Sequence, residues 1–307
     1  MKKIKITLYI LLAFLSFSSL AQAAFEENYW SARVGALAGA FHAISNDATG
    51  VFYNMAATNK TQSKQANFSY ARLFAGLDEV SLSLSQFSYL QPMGTGQTIA
   101  IGWGSFGAQN IYREDTIVTG YSHDLTSYLG EWTGTLSAGI SIRYLMRRFV
   151  MDERTIGDPV FKEGRIQNAT TFDLHFYSIP EPDNFPNLSV ALSLKSLNQP
   201  NIGYKETDRL PKEMVLGLAY QWKNNVFPLD ISLRSNEIVP HFGAEISLAK
   251  ETVFIRSGSD LSQIGFGMGY HKRLSEKFSI IVDYGFMFPL QVEKTAGSHR
   301  ATVGISF

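Results

Sequence analysis

Thr133-Gly134-Thr135-Leu136-Ser137-Ala138-Gly139-Ile140-Ser141-Ile142-Arg143-Tyr144 alternates without a break. Leu136, Ala138, Ile140, Ile142 and Tyr144 fall on one side; Thr135, Ser137, Gly139, Ser141 and Arg143 fall on the other. A strand points successive side chains to opposite faces, so this stretch has one apolar and one polar face. The same period recurs downstream. Phe172, Leu174 and Phe176 oppose Asp173, His175 and Tyr177; Leu229, Ile231 and Leu233 oppose Asp230, Ser232 and Arg234. Phe242, Ala244, Ile246 and Leu248 oppose Gly243, Glu245 and Ser247, and Ile264, Phe266, Met268 and Tyr270 oppose Gly265, Gly267, Gly269 and His271. From Gln65 onward the pattern predicts fourteen strands, near 65–75, 79–89, 97–106, 115–123, 132–145, 167–178, 188–197, 213–222, 227–234, 240–248, 251–257, 262–271, 277–287 and 298–307.

A sheet with one apolar face folds as a sandwich, with that face as core, or closes into a barrel with that face toward lipid. Composition favours the barrel. Of the 307 residues 18% are charged, against roughly a quarter in soluble domains. Aromatic residues make up 13%, with 22 Phe, 14 Tyr and 4 Trp. Mean hydropathy is near zero, which excludes a bundle of membrane helices. Each strand has about the length needed to cross a bilayer at a tilt, and closure is required there because hydrocarbon satisfies no backbone group. If the strands run up and down from a periplasmic start, Lys223 to Val226, Ala249-Lys250 and Lys272 to Glu276 are short periplasmic turns. The longest connections, Met146 to Ile166, Asn198 to Lys212 and Phe288 to Gly297, then lie outside. That asymmetry is typical of outer-membrane barrels. The expected fold is therefore all-β, a transmembrane antiparallel barrel of about fourteen strands over residues 65–307.

Residues 1–23 read as a cleavable secretory signal. Lys2, Lys3 and Lys5 form a basic start, Ile6 to Phe17 an apolar run, and Ala21-Gln22-Ala23 a small-residue cleavage site. Removing them takes three of the 27 basic residues and none of the 27 acidic ones, leaving 24 against 27. That balance gives no support for a nucleic-acid partner. With no cysteine, disulfides and thiolate-bound zinc are excluded. The chain ends in His299, Ala301, Val303, Ile305 and Phe307 on one face. A last amphipathic strand closing on Phe307 is similar to the signal read by the barrel-assembly machinery. The expected location is the outer membrane of a Gram-negative-type bacterium.

Residues 24–64 do not alternate. Gly35, Ala36, Ala38, Gly39 and Ala40 crowd together, Asn46, Asp47, Thr49 and Gly50 are cap and turn residues, and Val51 to Ala56 is largely apolar. Such a segment suits a hatch, or plug, packed inside the barrel. The run Ala32-Arg33 through Gly39-Ala40-Phe41, Ala43 to Ala48, and Phe52-Tyr53-Asn54-Met55-Ala56 resembles the N-terminal signature of the PorV/PorQ family, within the wider group of FadL-like long-chain fatty-acid transporters. Segments such as Val215 to Tyr220, Ile255 to Gly258, Gly265 to Gly269 and Val282 to Tyr284 also occur in the family's order. The sequence departs at Ala38, Asn46 and Met55, where the family has Gly, Asp and Pro. The resemblance implies a fourteen-stranded outer-membrane barrel with its N-terminal segment inside. In the FadL branch hydrophobic molecules bind inside and leave sideways through the wall; in the PorV branch the barrel holds exported proteins for type IX secretion.

No catalytic site emerges. Asp173 and His175 share the inward face of one strand and read as a lumenal polar pair. G-x-S-x-G and H-E-x-x-H are absent, and the six histidines have no metal-ligand spacing. The expectation is no enzyme, no cofactor and no metal. Inward charges, Arg143, Asp173, Lys195, Asp230, Arg234, Glu245, Asp283 and Arg300, are expected to pair with one another and with Arg33 or Asp47, since unpaired charges are costly to desolvate. Two functions follow. In one, the barrel admits a hydrophobic small molecule past a hatch in which Gly39 allows tight packing, Phe41, Phe52 and Tyr53 give apolar contact, and Arg33, Asp47 and Asn54 lock position. In the other, it is an accessory of secretion or envelope assembly whose outer loops, with Arg147-Arg148 and Asp152-Glu153-Arg154, contact an exported protein or a secretion component.

Overall fold

The computed structural model describes residues 24–25, 29–77, 81–94, 96–109, 111–130, 134–150, 157, 159, 164–180 and 183–307. The expected signal at 1–23 lies outside them, as do Asp152, Glu153 and Arg154. Fourteen strands follow the N-terminal segment: β1 (Gln65–Leu73), β2 (Leu82–Gly94), β3 (Gln97–Ala108), β4 (Tyr112–Asp124), β5 (Thr135–Phe149), β6 (Ile166–Ile179), β7 (Leu188–Lys195), β8 (Glu213–Trp222), β9 (Asn225–Arg234), β10 (Glu237–Leu248), β11 (Val253–Ser259), β12 (Gln263–Arg273), β13 (Ser279–Pro289) and β14 (Ser298–Ser306). Each pairs antiparallel with its sequence neighbours, and β1 pairs with β14 from Gln65↔Ser306 to Arg72↔His299, closing the barrel. No sheet edge is left open, as a bilayer requires.

Alternation puts the apolar set outside. Phe68, Ile101, Ile140, Phe172, Leu216, Phe242, Phe266, Val282 and Val303, from nine different strands, are all exposed. An apolar belt running around the whole barrel is the surface that a hydrocarbon layer covers. The polar set points in: Ser137, Ser141, Asp173, His175, Asp230, Glu245, Asp283, Arg300 and Thr302 are buried.

Several boundaries shift. The tenth strand starts at Glu237 rather than near 240, and β9 ends at Arg234, so their link is only Ser235-Asn236. Both residues have positive φ (50° and 66°), which matches a tight hairpin turn to the strand twist. This odd-numbered connection is as short as any on the other side, so loop length separates the two ends only in part. The two longest odd-numbered links are as expected, 150–165 and 196–212. The fifth strand runs on to Phe149, past the expected Leu145, because Arg147 and Arg148 keep pairing with Gln167 and Ile166.

Inside lies the N-terminal segment. It forms α1 (Ala32–Ala36) and short single turns at His42–Ile44, Ala48–Phe52 and Ala56–Lys60. Ser31 caps α1 by accepting the Val34 N–H, and Asp47 caps the turn at 48–52 by accepting the Thr49 N–H at 2.8 Å. These caps satisfy N–H groups that short helical pieces leave unpaired.

Candidate functional site

The site is the contact between this inner segment and the lumenal wall. α1 contains only small side chains besides Arg33 and Val34, and the wall opposite it is rich in glycine. A Cβ at Gly285 would sit 2.6 Å from the Ala32 carbonyl oxygen, and one at Gly258 would overlap the Leu37 backbone. Glycine is required at both because main chain meets main chain. The chain then reverses at Ala38 and Gly39, with φ of +48° and +88°. Ala38 is one of the three positions where the sequence departs from the signature it resembles, and its left-handed φ carries the strain that a Cβ brings there. His241 donates from Nδ1 to the Ala38 carbonyl at 2.8 Å, and its Nε2 lies 3.1 Å from Ser232 Oγ. The other two departures are compatible with the geometry. Met55 has φ −63°, the value proline imposes. Asn46 Oδ1 still accepts from Arg33 Nη1 at 2.8 Å.

Charged side chains fasten the segment. Arg33 donates from Nε and Nη2 to the two Glu245 oxygens at 2.8 and 3.0 Å, and from Nη1 to Asp47 at 3.0 Å. Arg256, 2% exposed, donates to Glu245 at 2.6 Å and to Asp283 at 2.8 Å, and His271 meets Asp283 at 3.1 Å. Asp47, Arg33, Glu245, Arg256, Asp283 and His271 thus form one ladder from segment to wall, in which each carboxylate has a cationic or imidazole neighbour. Asp230, fully buried, accepts from the Phe41 and His42 N–H groups at 2.7 and 2.8 Å and from His42 Nδ1 at 2.8 Å. Arg143 grips Asp173 through Nε and Nη2 at 2.6 and 2.9 Å, and the Ser196 N–H donates to the same carboxylate at 2.8 Å. Arg300 departs from the expected charge pairing: it donates to the Tyr29 carbonyl.

Between these clamps lies an apolar layer. Phe41 and Tyr53 meet edge to face with centroids 5.3 Å apart, and Trp30 stacks on Phe52 at 5.1 Å. Met55 fills the space beside Gly120 and Gly139. Leu37, Phe41, Tyr53 and Met55 pack in one buried cluster with the wall residues Leu90, Val118, Tyr177 and Met287. Asn54 ties its turn to the wall through Nδ2 to the Phe176 carbonyl at 3.0 Å. Below the segment, where β1 begins and β14 ends, a cavity of about 230 Å³ is lined by Arg33, Asp47, Asn67, Glu245, His271 and Asp283, with Phe254 and Ile281 its only apolar walls.

Arg33 bonds Asp47 and the wall, Asn54 bonds the wall, Gly39 forms the reversal, and Phe41, Phe52 and Tyr53 join the buried cluster; of the lumenal charges, Asp230, Glu245 and Arg300 bond the segment directly, while Arg143 and Asp173 pair with each other on the wall. His175 does not join Asp173: its Nδ1 faces Ser193 Oγ at 3.1 Å, so the two form no catalytic pair. Among the described residues no group of His, Asp and Glu is arranged to hold a metal. Arg256 was missed as a hub. The alternation Phe254, Arg256, Gly258 against Ile255 carries the signal, but the strand is only seven residues long. Phe307 lies just past β14, outward and exposed, with its N–H and carbonyl paired to Lys64 at 2.9 and 3.0 Å.

No protein-family model matches the sequence, and no curated protein sequence matches it. Solved structures do match. The Ralstonia pickettii toluene transporter TbuX aligns over 92% of this chain and 99% of its own, with TM-score 0.60 and 9% identity. The Pseudomonas putida toluene transporter TodX aligns over 92% and 98%, with TM-score 0.57 and 12% identity. A Pseudomonas aeruginosa FadL homologue aligns over 92% and 99%, with TM-score 0.56 and 10% identity. At such identities the likeness establishes the fold alone: this chain shares its barrel fold with these three structures.

Proposed function

We propose that this protein is an outer-membrane barrel of a Gram-negative-type cell, of the PorV/PorQ kind within the FadL-like group, that binds a hydrophobic small molecule and passes it across the membrane. The observation that carries this reading is the apolar layer inside the lumen. Water-filled pores have polar interiors, whereas here Leu90, Val118 and Met287 point inward and are buried against Leu37, Phe41 and Tyr53. An apolar molecule replaces those contacts at little cost, and a hydrated ion does not. The toluene transporters of the same fold support the substrate class. The polar cavity below the segment is a poor path for such a molecule, which favours exit sideways into the bilayer. In this reading Arg33, Asp47, Asn54 and Asp230 hold the inner segment as a hatch, and outer-membrane lipid is the partner of the belt. Purified protein analysed by mass spectrometry is expected to carry a bound lipid-like or aromatic compound, and a deletion strain to take up a hydrophobic probe more slowly. Empty protein together with unchanged uptake would refute the reading.

One observation favours a second reading, a secretion or envelope-assembly accessory. β4, β5 and β6 rise to a rim where Tyr112, Phe149 and Tyr204 pack at 4.8 and 5.4 Å and the Arg147 guanidinium lies 4.8 Å over Tyr204. Burial pushes the Tyr204 phenol up, and Arg147 draws it back. Aromatic and arginine side chains are the usual anchors of protein contacts. Cross-linking at this rim that recovers an exported protein in a strain with normal hydrophobe uptake would favour this role.

A further inference from the structure

Residues 24 and 25 sit far from the polar cavity, at the opposite mouth of the barrel. The Phe25 N–H donates to both carboxylate oxygens of Glu114, each at 3.1 Å. Arg234 reaches the Phe25 carbonyl at 3.2 Å from both terminal nitrogens and the Ala24 carbonyl at 3.4 Å. Glu114 is near the start of β4 and Arg234 ends β9, five strands away around the barrel. The dipeptide therefore bridges the mouth between a carboxylate that is 5% exposed and a guanidinium. Ala24 and Phe25 also pack on the buried pair Ile202 and Leu210, from the long link after β7.

That pairing suits a chain terminus. A carboxylate facing main-chain N–H and a guanidinium facing main-chain carbonyls is a cradle for a peptide end bearing an ammonium. Cleavage after Ala23 would place that ammonium on Ala24, one residue from the N–H that Glu114 already accepts. With residues 1–23 attached, the same nitrogen is a neutral amide and brings no charge to the buried carboxylate. We propose that Glu114 and Arg234 form a binding site for the mature amino terminus, Ala24-Phe25, so that removal of the signal fastens the leading end of the inner segment across the outer mouth. The site is independent of which cargo the barrel carries.

The test reads the amine itself. Amino-terminal sequencing of the purified processed protein is expected to begin at Ala24; a start elsewhere overturns the proposal. An amine acylating reagent at neutral pH, followed by mass spectrometry of the terminal peptide, is expected to label the folded protein at least tenfold more slowly than the heat-unfolded one. Glu114→Gln is expected to recover about tenfold in rate, the equivalent of roughly one unit of pKa-scale interaction, while the heat-modifiable gel shift of the barrel persists. If that variant does not fold, inserting Gly-Ser between Ala23 and Ala24, which displaces the terminus without touching the wall, is expected to expose the amine equally. Equal labelling of folded and unfolded protein, or no change in the variant that folds, overturns the proposal.

Discussion

Replacing Asp230 with alanine is expected to loosen the inner segment while leaving the barrel closed. Asp230 Oδ2 accepts three donors, the Phe41 and His42 N–H groups and His42 Nδ1, within 2.8 Å. Hydrogen bonds to a charged acceptor contribute about 1.5–3 kcal/mol each, so the gross loss for three lies between about 4.5 and 9 kcal/mol. Removing a fully buried carboxylate also relieves its desolvation, which offsets several kcal/mol of that loss. A net cost of about 3 kcal/mol follows, in the range seen when one partner of a buried pair is deleted. The loss falls on the opening of residues 38–46, because all three donors to Asp230 belong to Phe41 and His42. At 1.36 kcal/mol per tenfold, hydrogen exchange in a peptide covering those residues should speed up by roughly 150-fold. Asp230→Asn keeps one carbonyl acceptor and should show a smaller increase. Exchange by mass spectrometry on purified protein measures both, with strand peptides of β1 and β14 as internal reference. Unchanged exchange at 38–46 in the alanine variant, with the barrel still heat-modifiable on gels, would refute the view that this carboxylate fastens the segment.

Ala38→Gly should stabilise the folded form by about 1 kcal/mol, because it removes left-handed strain that a Cβ brings; the shift of the heat-modifiable transition to higher temperature measures it. Gly258→Val should drive a side chain into the Leu37 backbone and raise exchange over 32–37, and native-like exchange there would contradict close packing of α1. Arg33→Lys loses the two-pronged grip on Glu245 and should cost about 2 kcal/mol, with a double-mutant cycle against Glu245→Gln reporting the coupling. Deleting Phe307 should lower the fraction of chains that reach the folded barrel in cells, read from the heat-modifiable band.

The alternation of side chains, visible in the sequence, determines the number of strands, their approximate places and, in most of them, which face is apolar. It places Asp173, Asp230, Glu245, Asp283 and Arg300 together on one face, because a period of two depends only on local backbone geometry. The small residues of 32–43 and the inward glycines of β12 likewise announce a segment that packs against a wall. Alternation does not decide everything even locally. In β2 the inward residues are Leu84, Gln86, Ser88 and Leu90 and the outward ones include Ser83 and Ser85, so neither face of that strand is plainly apolar. What only the tertiary structure decides is which inward group meets which. Arg256 joins Glu245 to Asp283, Asp230 meets the backbone of Phe41, and Ala24-Phe25 reaches from Glu114 to Arg234 across the mouth. These contacts link residues as much as 210 positions apart, as in Arg234 to Ala24. They depend on the register of fourteen pairings and on closure of β1 against β14, which set distances across the lumen that no local pattern contains.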